Sequence, residues 1–192
     1  MSLYRHLPGK GELLDVMLDH VYGPRDALEE HRGTSWRSTM ELVARGTWEL
    51  YVSHPWLLQV NQSRPLLGPN AMGGFDFALA GLAGFGLTGR EKVAVILAVD
   101  HLVTGTARTH VLQQQAIEQS GISGEEFWAA QEPFLEGAMA TGDYPEVAGL
   151  AEDAFSISGT EALEFGLGAL LDGLEAFIAG KQKDRRAASN GA

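Results

Sequence analysis

Cysteine is absent from the 192 residues. Neither a disulfide framework nor a thiolate metal site can form without it. Positive charge is scarce: 14 Lys and Arg stand against 25 Asp and Glu, for a net charge of −11. A self-sufficient nucleic-acid binder neutralises phosphates with clustered Lys and Arg, and this balance argues against one. Long hydrophobic runs are missing too. No stretch approaches the roughly 18 to 20 apolar residues of a membrane span. Near the N-terminus Arg5, His6, Lys10, Glu12 and Asp15 interrupt any apolar run, so no signal peptide is expected. The common catalytic signatures HExxH, P-loop and GxSxG are also lacking. Asp100 and His101 are neighbours, and neighbours on a helix point about 100° apart, so they do not make a dyad. His101 and His110 fall on opposite faces of one helix and cannot share a metal. These exclusions lead to an expectation of a soluble, cytoplasmic protein with no membrane association, no enzymatic activity, no metal and no cofactor.

What is present is helical spacing. The 45% hydrophobic share is enough for one cored domain. Strand-like alternation never persists beyond a few positions. From Lys10 to Tyr22, the residues Leu13, Leu14, Met17, Leu18 and Val21 form an amphipathic stripe that ends at Gly23-Pro24. A second helix is predicted from about Ser35 to Ser53, stopped by His54-Pro55 because a residue before proline is pushed out of the α region. A short helix to about Asn61 and a turn-rich connector, residues 64–69, follow. Residues 70–86 are apolar with five glycines and read as helix. Thr88 with Glu91, and Ser123 with Glu126, match capping boxes for helices to Gln119 and to about Ala140. Pro145 suits the start of a short helix, and Thr160 suits the cap of a last helix ending near Gly180, with a frayed tail beyond. The fold class is all-α, a bundle of eight to nine helices.

Three segments carry a resemblance to tetracycline-repressor (TetR) type transcriptional regulators. Residues 2–14, Ser-Leu-Tyr-Arg-His-Leu-Pro-Gly-Lys-Gly-Glu-Leu-Leu, are similar to the junction between the recognition helix and the next helix of that family. His54-Pro55-Trp56-Leu57 with Arg64 through Asn70, and Phe165-Gly166-Leu167 through Glu175, resemble its C-terminal domain. The resemblance implies a ligand-responsive repressor whose C-terminal domain binds a small-molecule effector and forms a homodimer. It also implies a division into residues 1–9 as the remnant of a recognition helix, 10–180 as the effector-binding and dimerisation domain, and 181–192 as a disordered tail. A helix-turn-helix needs a complete recognition helix, and only Met1 and Ser2 precede Leu3. Operator DNA is therefore a partner only if the missing N-terminal helices are supplied. By resemblance Tyr4, His6 and Lys10 sit where phosphate backbone is supported or contacted, which positions a protein without specifying sequence. The plainer reading is that Tyr4 packs and Lys10 is a solvated helix start. A dimeric small-molecule-binding or partner-binding protein without DNA binding is the alternative function.

The last helix carries Leu163, Leu167, Leu170, Leu171, Leu174, Phe177 and Ile178 on one broad stripe, with small residues Ala162, Gly166, Ala169, Gly173 and Ala176 beside it. A glycine inside a helix costs roughly 1 kcal/mol relative to alanine, and a close helix crossing offsets that cost. The resemblance makes this stripe part of a four-helix dimer interface; a tight neighbour within the same chain would serve equally. Residues 93–103 are apolar except for Asp100 and His101, which predicts a helix buried all round. Asp100, Thr104 and Arg108 fall on one face. They make an internal Asp–Arg pair, a polar part of a dimer interface, or the polar side of an effector cavity. For the cavity, the candidate ligand-binding residues are Trp48, Tyr51, Phe75, His101, Thr104 and Arg108. Trp56, Phe85, Phe127 and Trp128 are further aromatics for its walls. The implied effector is mostly apolar, with a ring and a few hydrogen-bonding groups.

Overall fold

The structure, a computed structural model, describes residues 9–23, 26–33, 35–60, 66–151 and 153–190. All regular structure among them is helical, as the spacing predicts. The order is α1 (Lys10–Val21), α2 (Asp26–Glu29), α3 (Trp36–Ser53), a 3-10 turn (Pro55–Gln59), α4 (Pro69–Gly81), α5 (Gly89–Ser120), α6 (Gly124–Ala140), α7 (Pro145–Ala148) and α8 (Gly159–Asn190).

Local chemistry sets most of the ends. Ser35 caps α3, its hydroxyl accepting from the Ser38 amide at 3.1 Å. Both predicted capping boxes form, Thr88 with Glu91 on α5 and Ser123 with Glu126 on α6. Gly121 closes α5 in the left-handed region at φ 69°, which glycine enters without steric cost. Three boundaries differ from the sequence reading. Ser158, not Thr160, caps α8: the Glu161 amide donates to its hydroxyl at 3.2 Å, and the Ser158 amide donates to the Glu161 carboxylate at 2.8 Å. Only Ser158 has a glutamate three residues on, and that reciprocity decides between the two. α8 does not stop at Gly180 but continues to Asn190, because a helix can pass through one glycine when good helix formers follow. α4 ends at Gly81 rather than near residue 86, where Gly84 and Gly86 both take positive φ.

The core lies where α3, α5 and α8 meet. α5 contributes Val95, Val99, Val103, Ala107 and Val111; α8 contributes Leu163, Leu167, Leu171 and Ile178; α3 contributes Met40, Ala44 and Tyr51. Each buried leucine here is worth roughly 1.5–3 kcal/mol against exposure. Ion pairs run along the outer seam between α3 and α8, Arg37 to Asp172 at 2.8 Å and Arg45 to Glu164 at 2.7 Å. Residues 93–103 are not buried all round in the single chain. Leu97 is 45% exposed, and Leu112 further along is 53% exposed, because one side of α5 has no neighbouring helix.

α1 is held to the body through α4. Leu18 enters the core, and Asp19, itself buried, reaches across to cap α4. One carboxylate oxygen accepts from the amides of Asn70 (3.0 Å) and Ala71 (2.9 Å), while the Asn70 side chain donates to the Asp19 carbonyl at 3.0 Å. Gly68 makes the approach feasible, since a Cβ there would lie 2.1 Å from the carboxylate. α6 and α7 bury no residue. The α6 aromatics instead pack locally, Phe127 edge-on to Trp128 and Trp128 stacked on Phe155, each at 5.5 Å.

A candidate effector site between α1, α3 and α5

Tyr51 lies on the last turns of α3 with 5% of its surface exposed, so its hydroxyl needs a partner. Thr104 on α5 supplies one, donating to the Tyr51 oxygen at 3.4 Å, near the outer limit for such a bond. One turn further on, Arg108 donates to the Leu58 carbonyl of the 3-10 turn at 3.2 Å. That bond takes the guanidinium away from Asp100, and no Asp100–Arg108 pair forms among the described residues. The internal-pair reading of this face is thereby corrected. Asp100 is half-buried one turn before Thr104.

Tyr22, the residue after α1, completes the group. Its phenol is pushed up to about 12 by burial first, then by the charges of Tyr51 and Asp100. Burial also raises Tyr51, with Thr104 opposing by its hydrogen bond, Asp100 adding and Arg108 opposing. The Asp100 carboxyl is raised by burial, and the neighbouring His101 counters in part. Tyr51 and Thr104 thus meet between α3 and α5 with Arg108 one turn on and Asp100 one turn before, and Tyr22 feels the charges of Tyr51 and Asp100. Chemically these groups offer two phenols, a hydroxyl, a carboxylate and a cation, enough to orient a small molecule but with no nucleophile–base pair.

Of the six residues proposed for the cavity, the structure brings three together: Tyr51, Thr104 and Arg108. Trp48 is packed against the core, its ring 5.2 Å from that of His110. Trp56 and Phe85 are partly buried against the core as well. Phe75 is 42% exposed on α4, because Phe77, two residues on and thus turned to the other side, takes the buried position. His101 is exposed and lines a groove of about 420 Å³ between α5 and the start of α8, with Leu102, Gly105, His110 and Ser158. A second groove of about 510 Å³ lies between α1 and the start of α4, lined by Asp15, Asp19, His20, Leu67 and Asn70. Neither groove is lined by Tyr51. Sequence reasoning missed Tyr22, which read only as the end of a helix; its place beside Gly23-Pro24 gave no sign of a return toward α3.

Tyr4 and His6 lie outside the described residues, and Lys10 stands exposed at the first turn of α1. The small-residue stripe of α8 divides. A Cβ on Gly166 would meet Leu102 of α5 at 3.0 Å, so Gly166 serves packing inside the chain, while Ala162 lines the first groove. Ala169, Gly173 and Ala176 face outward, and a Cβ on Gly173 would meet nothing within 4 Å. Among the described residues no group of three or more metal-binding side chains is found, and no helix is long and apolar enough to cross a membrane.

Long helices packed about the core of α3, α5 and α8 define an all-α domain. Residues 29–178 match the family model described as the tetracyclin repressor-like C-terminal domain. Similarity extends to curated proteins. The chain is 48% identical over 179 residues to the HTH-type transcriptional repressor DrrR1 of Streptomyces coeruleorubidus, covering 93% of this chain and 66% of that one. It is 31% identical over 155 residues to an HTH-type transcriptional regulator of Saccharopolyspora erythraea, covering 77% of this chain and 59% of that one. The chain belongs to the tetracycline-repressor family. It spans about two thirds or less of the length of these two relatives.

Proposed function

We propose that this chain is the effector-binding and dimerisation part of a transcriptional repressor. The observation that carries the reading is the Tyr51–Thr104 contact, set in a cluster that α1 closes with Tyr22. A small molecule with a ring and a few polar groups binds there. Tyr51 and Tyr22 flank the ring; Thr104 and Arg108 provide hydrogen bonds. Trp48 backs the wall from the core side. Because Tyr22 terminates α1, an occupant shifts α1 relative to α3 and α5, and any DNA-reading module joined ahead of α1 moves with it. Two copies pair through the outward faces of α5 and α8. Exposed Phe165 (81%), Phe177 (41%), Leu97 and Leu112 support this, together with the open Ala169, Gly173 and Ala176. Operator contact is made only where such a module is present, with Tyr4, His6 and Lys10 at its join.

A thermal-shift screen of ring-containing molecules tests the site, with hits measured again on Thr104→Val. The variant is expected to bind a true effector more weakly by about 1 kcal/mol or more, the worth of a hydrogen bond. Hits that bind Thr104→Val unchanged place the effector elsewhere. The net charge of −11 favours a second reading, a ligand-binding dimer without operator contact. A mobility shift separates the two: this chain alone is expected to give no sequence-selective complex at physiological salt, and a nanomolar one would require a new account of how it reads DNA.

A further inference from the structure

α1 presents two faces. Leu14, Leu18 and Val21 turn to the core. Asp15, Val16, Asp19 and His20, one turn apart in pairs, line the groove of about 510 Å³ that α1 shares with the start of α4. The opposite wall is the stretch from Leu66 to Asn70. Leu66 packs against the core, and its neighbour Leu67 is left 78% exposed. Val16 on the α1 side is 57% exposed. Two large apolar groups so placed have no use inside the chain, and apolar walls around a concave surface are what small-ligand sites offer. The volume lies within the range of about 300–1,000 Å³ common to such sites.

Charge selects the occupant. Among the described residues Asp15 makes no hydrogen bond or ion pair, and no Lys or Arg lines the groove. Asp19 gives one carboxylate oxygen to the α4 amides, yet its charge stays on the groove wall. An anion would meet two carboxylates, whereas an ammonium finds acceptors beside an apolar surface for the rest of the molecule. We propose that this groove binds an amphipathic small-molecule cation, its ammonium beside Asp15 and its apolar body between Val16 and Leu67. The site is separate from the Tyr51–Thr104 contact. Its effect follows from its two walls. α1 packs on α4, and a ligand that touches both binds only while they are docked. Docking is then favoured by the factor 1 + [L]/Kd, about tenfold at ten times Kd. The ligand holds α1 in place.

Two probes of one shape test it by calorimetric titration of the full chain at physiological salt: 2-(1-naphthyl)ethylamine, a cation, and 2-(1-naphthyl)ethanol, which is neutral. The wild type is expected to bind the amine about fivefold or more tightly than the alcohol, the upper worth of an exposed charge pair. Asp15→Asn should reduce that preference to about twofold or less and leave alcohol binding unchanged. Leu67→Asn should weaken both probes, with circular dichroism showing that both variants fold. Asp143→Asn removes an equal charge from the exposed α6–α7 loop and should leave the preference intact. Hydrogen exchange of the α1 amides should slow about tenfold at ten times Kd of the amine, with α6 unchanged. Equal binding of the two probes, or a preference that survives Asp15→Asn, overturns the cation site. A preference lost equally in Asp143→Asn marks general attraction to an acidic surface and overturns it too. Probes that bind Leu67→Asn unchanged, leave α1 exchange unaltered or fail to bind at millimolar concentration overturn the groove itself, while the Tyr51–Thr104 reading stands.

Discussion

Asp19 and Gly68 show how much one side chain and one missing side chain can fix. The first amides of a helix have no partner within it, and a single carboxylate oxygen of Asp19 accepts from two of those in α4. It does so from 51 residues away in the chain, so the cap also fastens α1 to the body. Asp19→Ala is expected to lower stability to chemical denaturant by about 1–2 kcal/mol, the upper range for losing a cap. Gly68→Ala should act in the same direction, because its Cβ would stand 2.1 Å from the carboxylate it must clear. Combined, the two changes should cost little more than either alone, since both break one contact. Full additivity in the double variant would mean that Gly68 acts through backbone freedom and not through Asp19.

Three long helices start on the same device, a hydroxyl paired with a glutamate three residues on: Thr88–Glu91, Ser123–Glu126 and Ser158–Glu161. In each, the glutamate is held below the usual carboxylate range. The Glu91 carboxyl falls to about 2, chiefly through its bond to Lys181 of α8 and then through Thr88. Glu126 is lowered by the amide and then the hydroxyl of Ser123, and Glu161 by the hydroxyl and then the amide of Ser158. A carboxyl lowered in the folded state stabilises the fold above its unfolded value and loses that contribution as pH falls through the folded value. For Glu91 the window runs from the ordinary 4.5 down to about 2. Stability should therefore decline across that range, and Glu91→Gln should flatten the decline in acid titrations followed by circular dichroism. An unchanged acid limb would show that the Lys181 contact does not persist in solution. The first two boxes were legible in the sequence because serine or threonine and glutamate sit within one turn; the third was missed, the reading pointing to Thr160 although only Ser158 has a glutamate three residues on. The Asp19 cap was not legible, because nothing local marks a partner 51 residues distant. Thr104 and Arg108 could be placed on one face by periodicity; Tyr22 could not, since only the tertiary fold returns it to Tyr51. Phe75 stands exposed because α4 offers two aromatics and burial selects only Phe77, a choice the sequence alone does not show.

At the scale of the whole molecule, the outer side of α5 and α8 is the feature a single chain leaves unexplained. Leu97, His101, Gly105 and Leu112 fall within about 80° of arc on α5, and Phe165, Ala169, Gly173 and Ala176 within a similar arc on α8. All eight are exposed. A monomer has no reason to line up large apolar groups with glycines that weaken a helix, whereas two such faces packed together explain both. The division of the small-residue stripe makes this testable without ambiguity about folding. Gly166 faces Leu102 inside the chain, so enlarging it would damage the monomer itself. Gly173 faces open space, so Gly173→Leu should leave the isolated chain's helix content intact. Wild type is expected at about 41 kDa by light scattering at micromolar concentration, twice the 20.6 kDa of the chain. Gly173→Leu should shift it toward the monomer mass, because overpacking a close crossing costs roughly 1–3 kcal/mol. A dimer that tolerates Gly173→Leu would place the pairing surface away from the exposed end of the stripe. The unburied aromatics of α6, with no core to serve in the single chain, would then be the next surface to vary.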